Sequence, residues 1–147
     1  MTIPTLNRLR ELKLGGMAHA LQQQQEQPGP YAELSFTERL AMLVEQEHLY
    51  REQKKQSRLL QQAHLKLSAT LQEIDYQHPR NVERKQIAQL AQSEWINRGQ
   101  NLLITGPCGS GKTYLACAFG HNACLHGYSV QYYRLSRLLQ ALTQAKA

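Results

Sequence analysis

The sequence predicts an all-α N-terminal region followed by the opening of an α/β domain. Three observations carry that prediction. Apolar residues recur at helical spacing from Thr5 to Ala63. A short apolar run, Leu102-Leu103-Ile104, precedes a glycine-rich stretch and then a helix-forming one. An alternating segment, Tyr128 to Tyr133, comes next, with a further helical pattern after it. Strand, loop, helix, strand, helix is how a doubly wound α/β domain begins.

Taken in order, Thr5 to Leu12 reads as a short helix with Leu6, Leu9 and Leu12 on one face. Gly15-Gly16 breaks it. A second short helix starts near Met17, carries Met17, Ala18 and Leu21 on one face, and runs through Gln22-Gln23-Gln24-Gln25. Pro28-Gly29-Pro30 then forms a loop. Ser35 and Glu38 stand at capping-box spacing, where each side chain satisfies an orphan backbone N–H of the other. Phe36, Leu40, Leu43 and Val44 open a long amphipathic helix that continues through Leu59, Leu60 and Ala63. Leu71 and Ile74 read as apolar anchors in a connection, and His78-Pro79 as a turn. A domain boundary falls near residue 76, dividing a helical domain (1–76) from the start of the α/β domain (77–147). Val82 to Ala91 is helical, and Trp95 and Ile96 pack on the α/β domain. Leu102-Leu103-Ile104 suits a strand buried on both faces. Lys112 to Leu125 forms a helix closed by Gly127, a good residue for a left-handed stop. Ser136 caps a last helix with Leu138, Leu139 and Leu142 inward.

Composition narrows the function classes. The chain has 147 residues, 41% hydrophobic and 19% charged, with a formal charge of +6. No stretch approaches the ~20 apolar residues that a spanning helix needs, so no membrane role is expected. Met1 to Arg10 lacks an apolar core with a cleavage site, so no signal peptide is expected. Cys108, Cys117 and Cys124 form an odd set, and reduced thiols in a cytoplasmic protein are the default. Charge is uneven: residues 95–147 contain Arg98, Lys112, Arg134, Arg137 and Lys146 but no Asp or Glu. Chemistry in that stretch must proceed without a carboxylate of its own.

The informative motif lies there. Gly106-Pro107-Cys108-Gly109-Ser110-Gly111-Lys112-Thr113 matches the P-loop pattern G-x-x-x-x-G-K-[ST]. Its glycines let the backbone curl so that successive N–H groups face inward. Those groups and the positive end of the next helix make an anion site. Lys112 can reach the β- and γ-phosphates of ATP, and the Thr113 hydroxyl suits Mg2+. A hydrolase of this kind also needs an acid from another strand to hold the metal and place water. None lies after Glu94, so this chain is expected to bind phosphate and not to hydrolyse it alone.

Other constellations carry less. Cys117, His121 and Cys124 share a helix face at a spacing that can hold zinc, but no fourth ligand is evident, and core residues are the better reading. Arg51, Lys54, Lys55, Arg58 and Lys66 form a basic strip that is either a solvated face or a phosphate contact. Tyr128, Tyr132 and Tyr133 with Arg134 and Arg137 are either a half-buried segment or a stacking surface for nucleic acid.

Four stretches together resemble one family: Leu12 to Ala18 (LKLGGMA), Leu34 to Leu40 (LSFTERL), Ala69 to Asp75 (ATLQEID) and Asn101 to Ala116 (NLLITGPCGSGKTYLA). The P-loop alone is generic; the helical matches in the same order make the resemblance specific. It is to the IstB-like ATP-binding proteins, helper ATPases encoded beside the transposase in insertion sequences of the IS21 type and related to helicase loaders of the DnaC kind. The resemblance implies an α/β P-loop (AAA+-like) domain, incomplete here, preceded by an all-α N-terminal domain. It implies ATP and Mg2+ as cofactors, and duplex DNA and the transposase of the same element as partners. It also implies self-association in the intact family. Gly106 to Thr113 are the residues it carries over for nucleotide binding, with Thr113 toward the metal. The family's Walker B acids, sensor residues and arginine finger would lie after Ala147, so the chain reads as truncated before Walker B. Two alternatives stand beside the transposition helper: a non-catalytic helical interaction fragment, and a helicase-loader-like protein.

Overall fold

A computed structural model describes residues 2–77 and 81–147 of the chain. The turn expected at His78-Pro79 lies outside the described residues. The helices are α1 (Thr2–Glu11), α2 (Gly15–Glu26), α3 (Phe36–Ala63), α4 (Arg84–Ala91), α5 (Glu94–Asn97), α6 (Lys112–Leu125) and α7 (Leu135–Lys146). Short 3-10 turns occur at Gly29–Tyr31 and Leu71–Glu73. The chain folds as two compact units, Met1–Lys55 and Gln56–Ala147, and α3 contributes to both.

In the first unit, α1 and α2 pack together and bury Leu6, Ala18 and Ala20. The break expected at Gly15-Gly16 falls just before them, at residues 12–14 with Lys13 at φ +64°, and the two glycines open α2 instead. The position of Gly16 is dictated by space. A Cβ there would stand 2.8 Å from the Gln46 carbonyl oxygen and 2.9 Å from Glu47 Cα, so α2 crosses α3 backbone to backbone. The residue before α2, Leu14, offers no side-chain cap. Glu47 of α3 takes that role: its Oε2 accepts the Met17 N–H at 3.0 Å, and its Oε1 accepts Arg51 Nε at 3.0 Å. Glu47 is only 7% exposed. Burial alone would raise its pKa, but the Met17 N–H, the Arg51 guanidinium and the Gly16 N–H together hold it below the ordinary carboxylate range. A carboxylate at a helix N-terminus also meets the positive end of the helix dipole.

The start of α3 is local chemistry. The Ser35 N–H donates to Glu38 Oε2 at 2.7 Å, and the Glu38 N–H donates to Ser35 Oγ at 3.2 Å. The predicted capping box is therefore formed. The Ser35 N–H and hydroxyl keep the Glu38 carboxyl below its usual value.

In the second unit α6 is the central element. Cys117, Ala118, Phe119, Ala123 and Cys124 are buried along it, as befits a helix with little polar surface. One core gathers Ala69, Leu71 and Ile87 around Cys117, Ala118 and Phe119. A second joins Leu59 and Ala63 to Cys124. The helix ends in a Schellman motif. The Gly127 N–H donates to the Cys124 carbonyl at 3.0 Å and the Tyr128 N–H to the Ala123 carbonyl at 3.0 Å, with Gly127 at φ +86°. Asn122 ties α6 to the α4–α5 corner, its Nδ2 donating to the Ala91 carbonyl at 2.8 Å. Trp95 Nε1 closes the same corner on the Leu90 carbonyl at 3.0 Å.

The α/β expectation is overturned. Among the described residues the regular structure is helical and no strand forms. The reason is that a strand exists only through its ladder. Leu102-Leu103-Ile104 and Tyr128 to Tyr133 are non-helical but exchange no backbone bonds with each other. The first run is not buried on both faces either. Leu102 and Ile104 lean on the core, and Leu103 is 86% exposed. The second run does alternate: Tyr128, Val130 and Tyr132 are half-buried and the residues between them exposed. The Tyr132 N–H bonds instead to the Ala63 carbonyl at the end of α3, 2.9 Å away. The last helix also departs from expectation. Arg134, not Ser136, precedes it, and Leu135, Leu139 and Leu142 are 70%, 55% and 54% exposed.

Candidate functional site

The glycine-rich stretch of the second unit forms a loop that leads into α6. Gly109 at φ +77° and Gly111 at φ +91° take left-handed backbone that side chains with a Cβ resist. Nothing lies within 4 Å of a Cβ placed on Gly109, so that position opens to space. Pro107 and Ser110 close a turn, with the Ser110 N–H at 3.3 Å and its Oγ at 2.7 Å from the Pro107 carbonyl. Gly111 caps α6 and accepts the Leu115 N–H at 3.0 Å.

The N–H inventory shows what the loop can do. Among the described residues, the N–H groups of Gly109, Gly111, Lys112 and Thr113 have no protein partner. Unpaired N–H groups at a helix start, with the dipole behind them, favour an anion. Lys112 is half-buried and turned onto the loop, its Nζ donating to the carbonyls of Gly106 and Pro107. Its charge is thus held at the loop. Thr113 is exposed in the first turn of α6. Gly106, Pro107, Cys108 and Gly109 are exposed as well, and Cys108 is a free thiol. The structure therefore gathers all eight motif residues, Gly106 to Thr113, in one turn and the helix start it feeds.

A cavity of about 680 Å³ adjoins the loop, and Gly106 through Lys112 line it. That volume suits a small-molecule ligand, since such sites run ~300–1,000 Å³. Leu102, Ile104, Leu115 and Phe119 supply apolar lining. Sequence reasoning missed the remaining wall, which comes from Ile74, Asp75, Asn81, Val82, Gln86, Ile87 and Leu90. No spacing rule links those residues to a loop more than fifteen positions later. Ile74 is the apolar anchor that its sequence context predicts, and it is a cavity wall besides. Tyr114 was also missed. Its hydroxyl donates to Glu73 Oε2 at 3.4 Å, joining the first turn of α6 to the segment that carries Asp75.

The other candidate groups separate. Cys117 and Cys124 lie fully buried in the two cores, and burial pushes the Cys124 thiol up. Among the described residues, no group of three His, Cys, Asp or Glu side chains is placed to hold a metal. In the basic strip, Arg51 pairs with Glu47, and Lys54 lies over the Tyr50 ring at 4.9 Å. Tyr128 donates from its hydroxyl to Asn97 Oδ1 at 2.7 Å, which fixes it in the fold. No helix among the described residues is long and apolar enough to cross a membrane.

Loop, helix start and adjoining cavity together define a site suited to a phosphate-bearing small molecule. Comparison with known proteins agrees with that class. Residues 7–147 match the family described as IstB-like ATP binding protein, and the chain belongs to that family. A relative from Pseudomonas fluorescens, named for ATP binding and for insertion sequence IS1162, is 48% identical over 143 residues. The alignment covers 97% of this chain and 62% of that protein. A similarly named insertion-sequence protein of Sinorhizobium fredii is 40% identical over 97% of this chain and 57% of its own length. The IS21 counterpart of Pseudomonas aeruginosa is 33% identical over 94% of this chain and 52% of its own length. The chain thus spans between about half and 62% of these relatives.

Proposed function

We propose that this chain binds Mg·ATP at the loop Gly106–Thr113 and serves as the nucleotide-binding part of a helper protein in DNA transposition. The observation that supports it most is the set of unpaired N–H groups of Gly109, Gly111, Lys112 and Thr113 beside the cavity. In this reading Gly106, Pro107, Cys108, Gly109, Ser110 and Gly111 form the P-loop (Walker A) cradle, and the unpaired N–H groups of Gly109 and Gly111, with those of Lys112 and Thr113, would meet phosphate oxygens. Lys112 leaves the Gly106 and Pro107 carbonyls to neutralise the terminal phosphates. The Thr113 hydroxyl would hold Mg2+, which would supply further charge neutralisation when bound. Residues 77–147, with Ile74 and Asp75 of the cavity wall, are the nucleotide-binding part, and the helices before them the part that meets partners.

The names of the relatives support the biological setting, an insertion sequence. The partners proposed with it are duplex DNA and the transposase of the same element, in the cytoplasm, where the three free thiols stay reduced. The exposed cations Lys55 and Arg58 on α3 offer phosphate contacts. The decisive test is titration with a fluorescent ATP analogue. Lys112→Ala is expected to weaken binding about tenfold or more, the effect of losing one charge-assisted contact. Equal binding by both proteins would end the proposal.

A further inference from the structure

We infer that Asp75 reads the base of the bound nucleotide, by accepting a hydrogen bond from an exocyclic amino group such as that of adenine. The inference rests on the nucleotide reading above and goes further, to what selects the base. Four observations carry it. First, Asp75 lines the same cavity as the phosphate loop, and it is the sole carboxylate among the described residues that do so. Second, Ile74, Val82 and Ile87 give that wall apolar side chains beside its polar ones. Flat apolar walls suit the faces of a base, whereas phosphates and their metal want polar surroundings. Third, a carboxylate repels phosphate unless a metal ion lies between them, and since our reading gives that metal to Thr113, Asp75 is assigned to the base. Fourth, the carboxylate is oriented. Its Oδ1 accepts the Gln77 N–H at 3.0 Å, which leaves Oδ2 without a hydrogen-bond partner among the described residues. The Tyr114–Glu73 contact holds this segment to the first turn of α6.

The chemistry is set by the donor inventory. A carboxylate only accepts, so it rewards an amino group and penalises an exocyclic carbonyl oxygen at the same place. Asn81 and Gln86, on the same wall, carry both donor and acceptor atoms and can serve the neighbouring ring nitrogen. Adenine presents that pair, an amino donor beside a nitrogen acceptor.

The test uses the 147-residue chain and three probes: ATP, purine riboside triphosphate (hydrogen in place of the amino group) and inorganic tripolyphosphate. The native chain is expected to bind ATP about tenfold more tightly than purine riboside triphosphate, the loss of one hydrogen bond to a charged group. Asp75→Ala should erase that difference by weakening ATP alone, leaving the other two probes within about twofold. Asp75→Asn keeps an acceptor and should restore part of the preference. A matching thermal midpoint for each variant shows that folding is not the cause. The inference is overturned if Asp75→Ala weakens all three probes together, or only in the presence of Mg2+, which would put the carboxylate on the phosphate side. It is overturned as well if Asp75→Ala leaves the ATP preference intact. Failure of the parent reading looks different: the native chain would then bind neither ATP nor tripolyphosphate, and both proposals fall.

Discussion

Glu47 and Gly16 are the residues whose replacement should disturb the first unit most. A methyl group at Gly16 must displace the backbone of Gln46 and Glu47. Gly16→Ala is therefore expected to cost about 1–3 kcal/mol, as overpacking does, read as a lower urea midpoint at unchanged slope. Glu47→Gln keeps the shape and loses the charge that meets Met17 and Arg51. Its cost should be of the order of 1–3 kcal/mol, the range for hydrogen bonds to charged groups. The pH dependence has a definite sign. The folded pKa of Glu47 is depressed, so its contribution is fully present above the unfolded value of about 4.3 and lost as pH falls through the folded value. Native stability should drop from just above that pH downward, and Glu47→Gln should flatten the drop. A variant with the native acid limb would exclude Glu47 as its source. None of this is legible in the sequence, where Glu47 looks like one more charge on a solvated helix face. Its partner lies thirty positions earlier. The loop Gly106–Thr113 is legible as a turn and helix start because its requirements are confined to eight consecutive residues.

Among the elements, α6 and α7 make a contrast that can be measured. Phe119 is buried at the heart of the second unit, and Leu139 is 55% exposed. Phe119→Ala should cost about 3–5 kcal/mol, whereas Leu139→Glu should stay within about 0.5 kcal/mol of native. A large loss from Leu139→Glu would mean that α7 packs more tightly than its exposure says. Both helices are legible from their periodicity, but what each packs against is not. Hydrophobic spacing tells which residues share a face; it does not say that a surface waits for that face. The same limit explains the strands. Period-two alternation at Tyr128, Val130 and Tyr132 survives as alternating burial, yet sequence pattern cannot supply the neighbour that makes a ladder. Helix ends are more legible than strands because their chemistry is short-range. Ser35 and Glu38 need only each other, and Gly127 needs only the last turn of α6.

For the whole chain, binding and folding are linked. If Mg·ATP binds the folded second unit, saturating ligand must raise the thermal midpoint, by about 2.7 kcal/mol of stabilisation at a hundredfold excess over Kd. Lys112→Ala should abolish the rise. An unchanged native midpoint with ATP would favour a helical interaction fragment. Phosphate release by these 147 residues is expected to be slow if Asp75, the one carboxylate lining the cavity among the described residues, serves the base; steady turnover eliminated by both Lys112→Ala and Asp75→Ala would put that acid at the phosphates instead. The first unit adds a matter of timing. Helix α3 carries its own start signal within four residues, so its first turn can nucleate from local chain alone. Helix α2 has no such signal, and its opening turn borrows the Glu47 carboxylate from α3. The α1–α2 pair should therefore form after α3, with Glu47→Gln leaving the folding rate nearly unchanged and mainly speeding the release of that pair.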